Sequence, residues 1–211
     1  MKLAALCCAL LLLSGGVRAQ EAQTDTQADT QTGAQLPPAP AEFVAFFTTY
    51  CLEKFPDDAA LASAASGSNL VALTPEQTKL FLREDAGQGW LIQGESGKYI
   101  LTDELPPYHA CAVRHAVHTP FSVVPLKDLA DKYVAAKGHR LVDGPSLQTP
   151  MGEGIVSALS SQNEVDEKGV PTGEAFMLAV VSYPPQMLAD GTSSRPFWEI
   201  RFVRQIFRTA A

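Results

Sequence analysis

Phe43, Phe46, Phe47, Tyr50, Cys51 and Lys54 recur at intervals of three and four residues, which puts four aromatic rings and a cysteine on one face of a helix. The pattern predicts a helix over 43–55, ended by Pro56, with the core forming against its aromatic face. Asp57 then caps a second, alanine-rich helix that stops at Gly67. A third begins at Thr74-Pro75-Glu76-Gln77, where Thr at the N-cap, Pro at the first helical position and Gln three residues on form a capping box. Leu80 and Phe81 supply its expected buried side.

Alternation then replaces the helical period. Residues 89–93 and 98–102 flank Gly94-Glu95-Ser96-Gly97, a turn composition suited to a hairpin, with Trp90 as a core or rim anchor. In the stretch 111–117 a period of two puts Cys111, Val113, His115 and Val117 on one face and Ala112, Arg114, Ala116 and His118 on the other. Pro125 opens a further amphipathic helix that turns Leu126, Leu129, Ala130, Tyr133 and Val134 inward and ends at Gly138. Residues 139–143 read as a short strand and 146–153 as a loop. Three strands follow over 155–163, 176–183 and 197–207, the second apolar on both faces from 176 to 181, as a central strand would be. In the last, Trp198, Ile200, Phe202 and Ile206 alternate with Glu199, Arg201 and Gln205. Arg204 falls on the apolar side, where it needs either a bulge that turns it outward or an acidic partner. Helices early and strands late imply an α+β fold, an antiparallel sheet with helices packed mainly on one face. Strand order does not follow from the pattern.

The first 19 residues read as a cleaved secretory signal: Lys2, an apolar run over 3–13, and Val17-Arg18-Ala19 with small residues where a signal peptidase cuts. The run is broken by Ser14-Gly15-Gly16 well short of the roughly 20 apolar residues a bilayer crossing needs, so no transmembrane segment is expected in the mature chain. Cys7 and Cys8 lie inside the apolar run, too near the start to be a lipoprotein acylation site. Residues 20–41 form a Gln-, Thr-, Ala- and Asp-rich linker ending in prolines, too poor in apolar side chains to offset its ordering entropy. The remaining 170 residues, 42–211, suffice for one domain with a single core.

Removing Lys2 and Arg18 from the 16 basic residues, and Glu21, Asp25 and Asp29 from the 23 acidic ones, leaves 14 against 20 in that domain, a net of −6. With no basic run, this argues against nucleic acid and anionic membrane surfaces as partners. Two cysteines survive signal removal, Cys51 and Cys111, and an even count in an exported chain points to a disulfide between them. The competing reading is a nucleophilic cysteine with a partner histidine.

Candidate chemistry is sparse. Gly94-Glu95-Ser96-Gly97-Lys98 resembles the end of a phosphate-binding loop, but Ile92 stands where the first Gly belongs and Tyr99 where Ser or Thr should bind magnesium. His115 and His118 lie three apart on a strand and face opposite ways, so they cannot share a metal ion without a bulge; His109 and His115 share a face if the strand starts early. No cofactor, metal or catalytic residue is assigned. Arg114, His118 and Arg201 form the candidate ligand patch, for a carboxylate or phosphate group, if their strands are neighbours.

An aromatic helix ending Tyr50-Cys51-Leu52-Glu53-Lys54-Phe55-Pro56, Trp90, Cys111-Ala112-Val113-Arg114 and a C-terminal Val203-Arg204-Gln205 resemble an uncharacterised family of small exported proteins of Gram-negative bacteria. The likeness implies periplasmic export and one intrachain disulfide, and it carries no site residues to transfer. The expected function is therefore a periplasmic domain that binds a cell-envelope protein or small ligand without catalysis. The alternative is an envelope hydrolase or metal-dependent enzyme with no recognisable local motif.

Overall fold

A computed structural model describes residues 38–68 and 70–207. The expected signal, and the linker up to residue 37, lie outside the described residues. Helix α1 (Pro38–Phe47) takes in residues 38–41 and runs directly into a π-helical turn, Thr48–Leu52. Its aromatic stripe is buried as the spacing predicts: Phe43, Phe47, Tyr50, Cys51 and Phe55 are almost fully enclosed. Each such ring contributes roughly 1.5–3 kcal/mol of apolar burial. Helix α2 (Asp58–Gly67) starts at an Asp57 cap whose side chain accepts from Ala60 N at 2.9 Å. It is followed by β1 (Val71–Ala72) and α3 (Pro75–Leu82), whose capping box is complete in both directions. Leu82, not Leu80, is its buried residue: Leu80 is 78% exposed.

Strands β2 (Gly87–Gly94) and β3 (Gly97–Glu104) form the expected hairpin. Then come β4 (Ala110–Val117), α4 (Val124–Ala135), β5 (Arg140–Gly152), β6 (Ile155–Val165), β7 (Pro171–Tyr183) and β8 (Phe197–Ile206). All eight strands join one antiparallel sheet in the order β1-β2-β3-β4-β8-β7-β6-β5. The C-terminal strand is thus inserted at the middle, between β4 and β7. Of the stretch 146–153, expected as loop, residues 146–152 are the outer half of β5, an edge strand whose pairing with β6 is interrupted around Gly144-Pro145. Its side chains are exposed almost throughout, so no hydrophobic alternation marks it.

The α+β class and the antiparallel sheet are as the pattern predicts. Helices α1 and α4 share a core with Leu101, Val113, Phe176 and Phe202. Helix α3 instead ends on the other face, where the Phe81 carbonyl accepts from Arg114 at 3.0 Å. Gly87 permits this approach, since a Cβ there would collide with Leu82 and with the Asp103 carbonyl.

On the α1 face, Cys51 and Cys111 are joined in a disulfide, with Cα atoms 5.4 Å apart. It ties the π-turn to the centre of the sheet across a loop that the chain-entropy model values at about 4 kcal/mol. Arg204 stands opposite Cys111 in the β4–β8 ladder with no bulge to expel it. Its guanidinium forms a two-pronged pair with Glu174, Nε to Oε1 at 2.8 Å and Nη2 to Oε2 at 3.2 Å. Nη1 donates to the carbonyls of Cys51 at 2.9 Å and Phe55 at 2.7 Å, where the π-turn ends. Lys137 extends the network from Glu174 at 3.1 Å to Glu164 at 3.0 Å, and Glu164 also binds His139. The acidic partner demanded by the misplaced arginine is therefore present on the neighbouring strand.

Candidate functional site

On the face opposite α1 the middle strands set small side chains side by side. Ala112 of β4 opposes Val203 of β8, and Val203 opposes Met177 of β7. Ala110 and Ala179 extend the same floor. Short side chains at alternate strand positions leave space above the sheet, and that space is a hollow of about 180 Å³ walled by Leu82, Tyr108 and Leu159.

Arg114 and Arg201 enter this hollow from directly opposed positions of the β4–β8 ladder. Like charges so placed repel. Arg114 is held by several contacts: Nη2 on the Phe81 carbonyl, Nη1 3.4 Å from Glu199 Oε1, and the guanidinium 5.3 Å from the Phe81 ring centroid. Burial, and then the facing Arg201, push its pKa down to about 10 against the opposing pull of Glu199, so it stays cationic at neutral pH. The Nε atoms of both arginines are buried with no hydrogen-bond partner. An unmade bond at a buried charged donor is costly.

Glu104 lines the same hollow and forms no ion pair with either guanidinium, in contrast to Glu199. Burial and the nearby Asp85 hold its carboxyl above the usual range, while Arg114 and Arg201 pull it back. Tyr183, beside Glu199, is likewise shifted up, first by burial.

Of the three residues expected as a patch, the fold brings two together. His118 lies past the end of β4, exposed, with Nδ1 donating to the Pro196 carbonyl at 3.1 Å, and it does not line the hollow. His115 is on the opposite face, stacked on Tyr99 at 4.0 Å and bonded to the Lys98 carbonyl at 2.9 Å; burial lowers its pKa. His109 pairs with Asp58 at 2.9 Å. Among the described residues no group of three or more His, Cys, Asp or Glu is placed to hold a metal ion. The turn that resembles a phosphate loop already has its anion: Glu42 of α1 accepts from the backbone N–H groups of Glu95 at 2.5 Å and Ser96 at 2.7 Å.

Glu104, Thr102, Leu82 and Met177 were not legible as site residues. The available signal was the run of small side chains, Ala112 and Ala116, on the strand face that carries Arg114. Compared with known proteins, the chain matches no family model, no curated protein and no solved structure.

Proposed function

We propose that the protein is an exported domain of the cell envelope that binds a small ligand without transforming it, and that the ligand's anionic group lodges between Arg114 and Arg201. One observation carries the reading: two guanidinium groups, Arg114 and Arg201, come from directly opposed ladder positions and line one end of a hollow floored by alanine and valine. Structural arginines are normally saturated with acceptors. Two facing cations repel, and an anion that comes from outside would relieve the repulsion. The Phe81 and Glu199 contacts fix the Arg114 fork beforehand, so little side-chain freedom is lost on binding.

Export rests on the signal pattern of residues 1–19. The Cys51–Cys111 disulfide is of the kind that persists in an oxidising compartment, and among the described residues no helix is long and apolar enough to cross a membrane. The hydrolase reading draws no support from the hollow, whose lining includes Thr102 and Tyr108 hydroxyls but no histidine or cysteine to activate or replace them.

The test is a titration of the ¹⁵N-labelled protein with phosphate and with hexanoate, following the guanidinium Nε–H resonances. Saturable shifts of the Arg114 and Arg201 signals, abolished in Arg201→Gln, are expected. Signals that stay fixed with both probes would end the anion-binding reading. Fractionation of cells that express the whole chain tests export: recovery from the cytoplasm, uncleaved, would end that part.

A further inference from the structure

The hollow is polarised along its length. Arg114 and Arg201 occupy one end. Glu104 stands at the other, opposite Ala110 in the β3–β4 ladder, whereas Arg114 opposes Ile100. The two rows are four residues apart on β3, about 13 Å between Cα atoms at the usual strand rise. Thr102, Ala112 and Val203 lie between them. A small, mostly apolar floor separates the two ends. Among the described residues Glu104 forms no ion pair, with the arginines across the floor or with any other cation.

From this juxtaposition we infer that the ligand is a zwitterion of the ω-amino acid type, its carboxylate between Arg114 and Arg201 and its ammonium on Glu104, with a short methylene spacer over Ala112 and Val203. The inference rests on the anion-binding reading above and adds the second charge and the spacer. Two features favour it over a simple carboxylate. A lone anion would satisfy the arginines but would leave Glu104 desolvated and unpaired beside it, a cost the ligand's own ammonium removes. The volume of about 180 Å³ suits a molecule of this size and would exclude a long acyl chain from the enclosed part. Burial and Asp85 already keep the Glu104 carboxyl above its usual range, the direction expected of an acid that lacks its cation.

The experiment measures the affinity of the full-length protein for 6-aminohexanoate, hexanoate and hexylammonium, by the same resonance titration. Wild type is expected to bind 6-aminohexanoate at least about tenfold more tightly than hexanoate, the gain of one charge-assisted hydrogen bond, and hexylammonium most weakly. Glu104→Gln should remove the advantage of 6-aminohexanoate over hexanoate, and hexanoate should still bind, at least as tightly as to wild type, which also shows that the variant is folded. Ala112→Leu, which fills the floor without altering charge, should weaken both. Equal affinity of wild type for 6-aminohexanoate and hexanoate would overturn the zwitterion and leave the anion site standing. Absence of binding by either would overturn both readings.

Discussion

Arg204 and Arg201 are three residues apart on β8 and face opposite sides of the sheet. Arg204, under the helices, spends its donors on the Glu174 carboxylate and the carbonyls that end the π-turn. Arg201, on the face that α1 leaves uncovered, opposes another arginine and keeps a buried Nε without an acceptor. Burial alone does not separate a structural cation from an available one. What separates them is the count of acceptors each can reach, because a saturated guanidinium has nothing left to offer a ligand and an unsaturated one does.

The contrast can be broken by mutation. The largest effect is expected from Arg204→Met, which leaves Glu174 and the π-turn carbonyls without their donor: a loss of about 3–5 kcal/mol, read by urea denaturation. A loss below about 1 kcal/mol would mean that Arg204 is no more structural than Arg201. Removing the disulfide with Cys51→Ala and Cys111→Ala together should cost about 4 kcal/mol. Because Arg204 also binds the Cys51 carbonyl, the two losses should fall short of additive when combined.

Asp103 sharpens the comparison as the exception on the helix-covered side. It is fully enclosed, Gln88 donates to its Oδ2 at 3.2 Å, and Oδ1 has no partner. Burial, with the nearby Asp58 adding to it and His109 and the Gln88 bond opposing, raises its pKa from 3.8 to about 6. The folded state therefore holds a proton that the unfolded chain has released across that window, so this group's contribution to stability is present at pH 3.8 and below and is lost as pH rises towards 6. Asp103→Asn should raise stability at pH 8 by up to about 2 kcal/mol and leave it unchanged near pH 3.5. A variant less stable at pH 8 would show that the charged carboxylate is matched after all. The smallest effect belongs to Arg201→Gln, which removes a like-charge neighbour of Arg114: stability within about 0.5 kcal/mol of wild type, but no anion-dependent shift of the Arg114 Nε signal.

The elements were legible wherever the signal was local. The Thr74 capping box, the Asp57 cap, the hairpin around Gly94–Gly97 and the aromatic stripe all depend on residues within a turn or two of one another. The same local reading predicts that Arg204 needs either a bulge or an acid, and the structure supplies the acid, Glu174. The outer half of edge strand β5 reads as loop because solvent on both sides of it imposes no alternation on its side chains. Leu80 was misassigned because a short helix against a sheet edge buries only its last turn.

By itself, then, the sequence determines most of the helices and the inner strands, that two cysteines remain to pair once the expected signal is removed, and that Arg114 and Arg201 each point away from their strand's apolar side. Only the tertiary structure decides that β8 inserts between β4 and β7. That insertion sets the two arginines face to face and places Glu104 across the alanine floor. The physical reason is that strand pairing is a contact between residues far apart in the chain, chosen by the packing of the whole sheet, and no periodicity within a single strand encodes its neighbour.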